Sequence, residues 1–299
     1  MEVVKLKAAT QNYIWGGNRL FKYGKESKDE IIAESWELSC HPAGLSIIDS
    51  GIDKGQYLKD VISIDDIGQK CSKFPFFPLL NKLIDAKNDL SIQVHPSDEY
   101  ALKYENSFGK TEMWYVVDAD EGAMLHIGLN KDVSKEEFKQ RIENNTLLEI
   151  LNHIPVKKGD CYFIPSGTLH AIGRGCFIYE IQENSNLTYR VYDYGRVGKD
   201  GKPRELHIDK ALEVTNLNKV VPQNLKTNPL AVCPYFEVSK TKNEKQIKAP
   251  IDSFAFITIL QGHGNVNNIP FNQGDSFFIP CNKLALIEGD YDAIKTIVG

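Results

Sequence analysis

The sequence predicts a mainly β protein with a few short helices, arranged as two barrels of antiparallel strands. Three observations carry that expectation. Short segments rich in aromatic and β-branched residues recur along the chain, among them LSIQVHP, EMWYVV, AMLHIGL, CYFIP, CFIYEIQ, TYRVYDY, FAFITIL and SFFIP. They are separated by clusters of Gly, Pro, Asn and Asp, a cadence that suits a sandwich or barrel. One stretch is also written nearly twice: GDCYFIPSGTLHAI at 159–172 and GDSFFIPCNKLALI at 274–287 agree at seven of fourteen positions. Helical patterns are sparse by comparison.

The bulk properties exclude several classes. At 299 residues the chain is long enough for two modest domains or one large β domain. A net charge of −5 gives no footprint for nucleic acid and no attraction to anionic membranes. No run of eighteen apolar residues offers a membrane span. The N-terminal MEVVKLKAATQNYIWGG has no apolar core or small-residue cleavage site, so it does not read as a signal peptide. The six cysteines form no CxxC pair and read as reduced core residues. A cytoplasmic protein acting on a small molecule is expected; the oligomeric state is left open.

In chain order, YLKDVIS and HIDKALEVT are short helix candidates at either end of the series. SDEYALKYE follows Pro96 with Ser97 as cap and an acidic first turn, and SKEEFKQRIENNTLLEIL begins with Ser134 and Glu137 at capping-box spacing. The polar segment at 216–228 reads as a connector. This divides the chain into a metal-binding unit with helical insertions at 1–220 and a second unit at 221–299. The repeated stretch reads as a tight Gly-Asp turn, an apolar strand and a Pro that ends it. Self-similarity at this separation suggests a duplicated structural unit. The first copy carries Gly159, Asp160, Pro165, Gly167 and His170, which resembles the second motif of the cupin β-barrels. The second copy keeps Gly274, Asp275 and Pro280 but has Asn282 and Ala285 in the last two places. The expectation is two cupin-type jelly-roll barrels, of which the first alone holds a metal.

His170 needs partners. In LSIQVHP, Gln93 and His95 stand two apart in a strand-like run and leave on one face, with Ile92 and Val94 on the other. In GKTEMWYVV, Lys110 and Glu112 share a face in the same way. Gln93, His95, Glu112 and His170 make a mixed nitrogen and oxygen set that suits Zn²⁺ with room for substrate or water; Mn²⁺, Fe²⁺ or Co²⁺ would also be accommodated. The competing reading is that each polar residue satisfies local hydrogen bonds.

The strings YIWGG, ESWEL, LSIQVHP, GKTEMWYV, SGTLHAIG and EIQENSNLTYRVYDYGR occur in the order found in type I phosphomannose isomerases of the short bacterial form. The chain resembles that family along nearly its whole length. The resemblance implies one zinc held by Gln93, His95, Glu112 and His170, and interconversion of mannose 6-phosphate and fructose 6-phosphate. Longer members carry a His before the matching Lys, where this chain has Gly109.

Moving a carbonyl between neighbouring carbons takes a proton from one and returns it to the other, with charge building on oxygen in an enediolate. A cation with an open position stabilises that charge. A hydride shift would call for a carboxylate-rich two-metal cage, and the cluster contains a single acidic ligand. Lys110, beside Glu112, is the favoured base, because a nearby cation and partial burial both favour the neutral amine. Glu180 in YEIQEN is the second candidate. Arg190, between aromatics, either pairs with an acid such as Asp193 or meets an anionic ligand, which the resemblance favours. Lys82 and Ser91 are candidate phosphate or sugar contacts, with an exposed lysine as the plainer reading of Lys82. His41 in SCHPAG is a candidate for assisting ring opening, or else a turn histidine. Trp15 and Trp36 are expected in the core, and His126, His153, His207 and His263 are expected to be structural or exposed. Two alternatives remain: a metal-dependent cupin oxygenase, which gives no reason for Lys110 and Arg190 together, and a sugar-phosphate-binding cupin without turnover.

Overall fold

The computed structural model describes residues 1–198 and 201–299. Contacts divide it into two units: Met1–Asn12, Asn18–Leu83 and Lys226–Gly299 form one, and Tyr13–Gly17 and Ile84–Leu225 form the other. The chain-contiguous division at 220 expected from the sequence gives way to this interleaved one. The N-terminal strand Val4–Lys7 pairs antiparallel with Ser276–Ile279, which draws the start of the chain into the C-terminal unit.

Among its described residues the first unit has a sheet of nine strands. Its spine is the pair Ala255–Val266 and Leu284–Val298, joined from Ala255↔Ile297 to Val266↔Ile287. Alternate residues of these strands, including Ile257, Ile259, Ala285 and Ile287, bury one face with Phe271, Phe277 and Ile279.

The second unit holds the site. One five-stranded sheet runs Tyr189–Tyr192, Ile92–Val94, His170–Ile172, Met124–Leu129, Leu151–Pro155. A separate antiparallel ladder joins Cys161–Ile164, Glu112–Ala119 and Cys176–Glu183. On the five-stranded sheet Ile92, Val94, Ala171 and Val191 point into a core closed by Phe138 and Ile142 of the helix Lys135–Glu143. With period-two alternation, the residues between them, Gln93, His170 and Arg190, take the opposite face. Burial of the first set, worth roughly 1.5–3 kcal/mol per large side chain, therefore fixes where the second set points.

The two copies of the repeated stretch build the same local structure. Gly159 and Gly274 have φ of 87° and 91°, a conformation glycine adopts at little cost. Asp160 and Asp275 each accept a hydrogen bond from the backbone three residues earlier, at 2.9 Å from Lys157 and 2.7 Å from Asn272. Gly159 N–H donates to the Val116 carbonyl at 2.8 Å and Gly274 N–H to that of Ile259 at 2.7 Å. Thr168 and Lys283 close the matching turns after Pro165 and Pro280 at 3.1 and 3.0 Å. Where the first copy has Gly167 at positive φ, the second has Asn282 at φ 60°. The closed barrels expected from the sequence are not seen: the fold is mainly β with few helices, and the hydrogen-bonded strand paths are open. Packed sheets can enclose a core through side chains without a continuous ladder.

The helix candidates form as Leu58–Val61, Asp98–Tyr104, Lys135–Glu143 and Ile208–Val214. Ser97 and Ser134 cap theirs by accepting from the N–H of Tyr100 and Glu137. Among the described residues none of the six cysteines forms a disulfide. No helix among the described residues is long and apolar enough to cross a membrane.

Candidate active site

In the five-stranded sheet Gln93 stands directly opposite His170 on one side and Arg190 on the other. Residues paired across strands share a face, so the register lays Arg190, Gln93 and His170 in one row. His95 extends the Gln93 strand by two residues. Glu112 arrives from the other ladder, and Trp114, two residues on, meets the His170 ring edge-on at 5.3 Å.

His95, Glu112 and His170 each offer one ligand atom, all within 4.8 Å of one another, and all three are buried. The tautomers follow from the backbone. His95 Nδ1 lies 2.8 Å from the Leu187 carbonyl and His170 Nδ1 2.8 Å from that of Thr168. A carbonyl only accepts, so each Nδ1 carries the hydrogen and each Nε2 presents a lone pair. Those two Nε2 atoms are 3.1 Å apart, and Glu112 Oε1 is 3.3 Å from that of His170. Burial, then the nearby Lys110 ammonium, push the His170 pKa down to about 3, so its ring is neutral at ordinary pH. Converging lone pairs and a carboxylate repel one another in a dry site unless a cation lies among them. The Gln93 amide nitrogen is 3.5 Å from His170 Nε2, and a half-turn of that amide presents its carbonyl oxygen instead. The donor set fits a divalent metal.

Lys110 is buried, with Nζ 3.0 Å from His95 Nε2, hydrogen-bonded to Glu112 Oε2 and 3.9 Å from Glu180 Oε1. Trp114 Nε1–H donates to Glu180 Oε2 at 2.9 Å. The structure thus brings Gln93, His95, Lys110, Glu112, His170 and Glu180 together. Arg190 donates from Nε to Ser91 Oγ at 3.2 Å and from Nη1 to the Glu205 carbonyl at 2.9 Å. Pairing with Asp193, one of the two expectations, is not observed: that carboxylate is taken by Arg196 and Arg204. Burial, then Arg204, lower the Arg190 pKa.

Lys82 and His41 belong to the other unit. Lys82 is 3 % exposed rather than solvent-facing, with Nζ 3.5 Å from Glu34 Oε2 and 5.1 Å from the centre of the Trp36 ring. His41 Nδ1 accepts from Ala43 N–H at 3.1 Å, so it caps its own turn. Burial, then Lys82, lower its pKa. Trp15 and Trp36 are core residues as expected. His207, expected to be structural, clamps the Arg190 backbone: its N–H donates to the Arg190 carbonyl at 2.8 Å and its Nδ1 accepts from Arg190 N–H at 3.3 Å. The carbonyls of Leu187 and Thr168, which set both imidazole tautomers, carry no signal in side-chain identity.

The description "Phosphomannose isomerase type I, catalytic domain" matches residues 3–139. A mannose-6-phosphate isomerase from Streptococcus mutans is 37% identical over 310 residues, covering 99% of this chain and 98% of its own. The crystal structure of the mannose 6-phosphate isomerase from Bacillus subtilis superposes with a TM-score of 0.86 at 32% identity, covering 99% of both chains. A zinc-bound mannose 6-phosphate isomerase shares the fold at 16% identity and a TM-score of 0.80, covering 100% of each chain. The chain belongs to the type I phosphomannose isomerases.

Proposed function

We propose that the chain is a metal-dependent isomerase that interconverts mannose 6-phosphate and fructose 6-phosphate by enediol proton transfer. One Zn²⁺ would be held by Gln93, His95, Glu112 and His170. The observation that carries the reading is the convergence of two imidazole Nε2 atoms, 3.1 Å apart, on the Glu112 carboxylate, in a chain of this family. When bound, the ion supplies Lewis-acid stabilisation to the oxygen charge of the enediolate.

The chain's own groups supply the rest. Lys110 carries the proton between the two sugar carbons, with Glu180 beside its amine as the second carrier. Arg190 faces the anionic substrate, and its Nε bond to Ser91 fixes the plane of the guanidinium. The role of Lys82 as a substrate contact rests on its place in an apolar segment, and that of His41 on the family resemblance. The paired turns at Asp160 and Asp275 support reading the chain as two cupin-type jelly rolls, of which the copy with Ala285 lacks a metal. A cytoplasmic location agrees with cysteines that form no disulfide among the described residues.

A coupled assay of mannose 6-phosphate conversion tests the function. Turnover is expected, with loss on chelation. Binding of mannose 6-phosphate without product would contradict it, as would oxygen uptake by an Fe²⁺-loaded sample.

A further inference from the structure

We propose that Asp98 and Glu183, which accept from the amides of Gly109 and Thr111, hold the backbone on both sides of Lys110 and thereby aim its amine at the metal centre. They are positioning residues for the proton transfer, and the inference rests on the role proposed above for Lys110.

Three consecutive amides are tied down here. Gly109 N–H donates to Asp98 Oδ1 at 2.8 Å, Lys110 N–H to the Pro96 carbonyl at 3.1 Å, and Thr111 N–H to Glu183 Oε2 at 2.6 Å. Glu183 N–H returns the contact by donating to the Thr111 carbonyl at 3.2 Å. The middle acceptor, Pro96, directly follows His95, so the base is fastened to the segment that supplies a ligand. Gly109 is part of the device. A Cβ there would lie 2.5 Å from Asp98 N and Ser97 C and 2.7 Å from the Pro96 oxygen, all backbone atoms. Any side chain at 109 would lift the strap away from Asp98.

The chemistry of the pair needs one proton. Glu183 is 2 % exposed, and its second oxygen, Oε1, meets no donor among the described residues. The neighbouring Asp98 carboxylate offers acceptors alone, so the contact becomes a hydrogen bond when one of the two acids is protonated. Burial first, and then Asp98, push the Glu183 pKa up to about 9. A raised pKa agrees with a protonated Glu183 whose Oε2 still accepts from Thr111. With both acids in place, the Lys110 backbone has little freedom. Misplacement of a reacting group by about 1 Å is enough to cost up to about a hundredfold in rate.

The test compares Glu183→Ala, Glu183→Gln and Gly109→Ala with the unaltered zinc-loaded chain. Isomerisation kinetics, metal content and hydrogen exchange at the Thr111 amide are measured together. Glu183→Ala is expected to lower kcat about tenfold to a hundredfold, with KM and metal content retained and Thr111 exchange accelerated. Glu183→Gln can donate to Asp98 and accept from Thr111, so it should restore most of kcat and the slow exchange. Gly109→Ala should reproduce the kcat loss without touching either acid. Unchanged kcat in Glu183→Ala, a Gln variant as impaired as Ala, or a loss confined to KM or metal content would overturn the proposal. If the unaltered chain does not isomerise, the proposed function fails instead, and Thr111 exchange in the Ala and Gln variants still decides the clamp.

Discussion

His95 and His170 turn their Nε2 atoms toward each other across 3.1 Å, while each Nδ1 hydrogen is committed to a backbone carbonyl. The protein backbone, rather than the ligand, therefore sets both tautomers. A site of this kind is ordered before the cation arrives, because the groups behind the imidazoles already hold their rings.

Metal binding and turnover should separate by mutation. His170→Ala removes one of the two converging Nε2 nitrogens and is expected to abolish tight metal retention, measured as zinc per chain after dialysis. Arg190→Ala leaves the four proposed ligand side chains in place and should retain the metal while losing turnover by about a hundredfold or more. An Arg190→Ala chain that isomerises at the normal rate would remove Arg190 from the machinery.

A pH dependence of stability is expected from His126. Its ring is buried edge-on to His153 at 4.7 Å, and burial, then His153, push its pKa down to about 4. The unfolded chain binds this proton below about 6.5, the folded chain only below about 4. Between those values unfolding takes up a proton, so the stability that neutral His126 contributes is present above about 6.5 and is lost as pH falls through about 4. Urea unfolding at pH 4.5 and 7.5 should show wild type losing more stability on acidification than His126→Phe, by on the order of 2 kcal/mol. Equal losses would exclude His126 as the cause.

A buried ion pair in the other unit offers a stability test independent of the site. Glu37 Oε2 accepts from Lys25 Nζ at 2.7 Å and from Ser276 Oγ at 2.9 Å, while Oε1 accepts from Ser35 Oγ at 2.7 Å. Glu37→Ala strips the half-buried Lys25 ammonium of its carboxylate and should cost about 2–3 kcal/mol by urea unfolding. The double variant Lys25→Met, Glu37→Ala should recover part of that loss. A single-variant cost below about 1 kcal/mol would show the pair to be as weak as a surface one.

What the sequence made legible follows from local periodicity. Gln93 and His95, and Lys110 and Glu112, are recognisable as polar pairs two apart in sequence; Gln93 and Glu112 lie in the strands Ile92–Val94 and Glu112–Ala119, while His95 and Lys110 stand just outside them. The repeated Gly-Asp turns were equally local. What was hidden depends on distant partners. Nothing in Val4–Lys7 announces that it pairs with Ser276–Ile279, so the division into units differed from the one at residue 220. Pairing with Asp193 is the less favoured of the two readings of Arg190, and the sequence does not show that Arg196 and Arg204 take that carboxylate. Glu183 reads as an ordinary polar strand residue; only burial beside Asp98 gives it its raised pKa and its hold on Thr111.

The most direct measurement is a zinc titration of the metal-stripped chain, following bound metal and mannose 6-phosphate isomerisation in the same samples. Activity should rise linearly and stop at one zinc per chain, with His170→Ala flat throughout. Full activity in the stripped protein, or a His170→Ala chain that regains turnover at the same stoichiometry, would contradict the claim that these four side chains hold the ion on which the isomerisation depends.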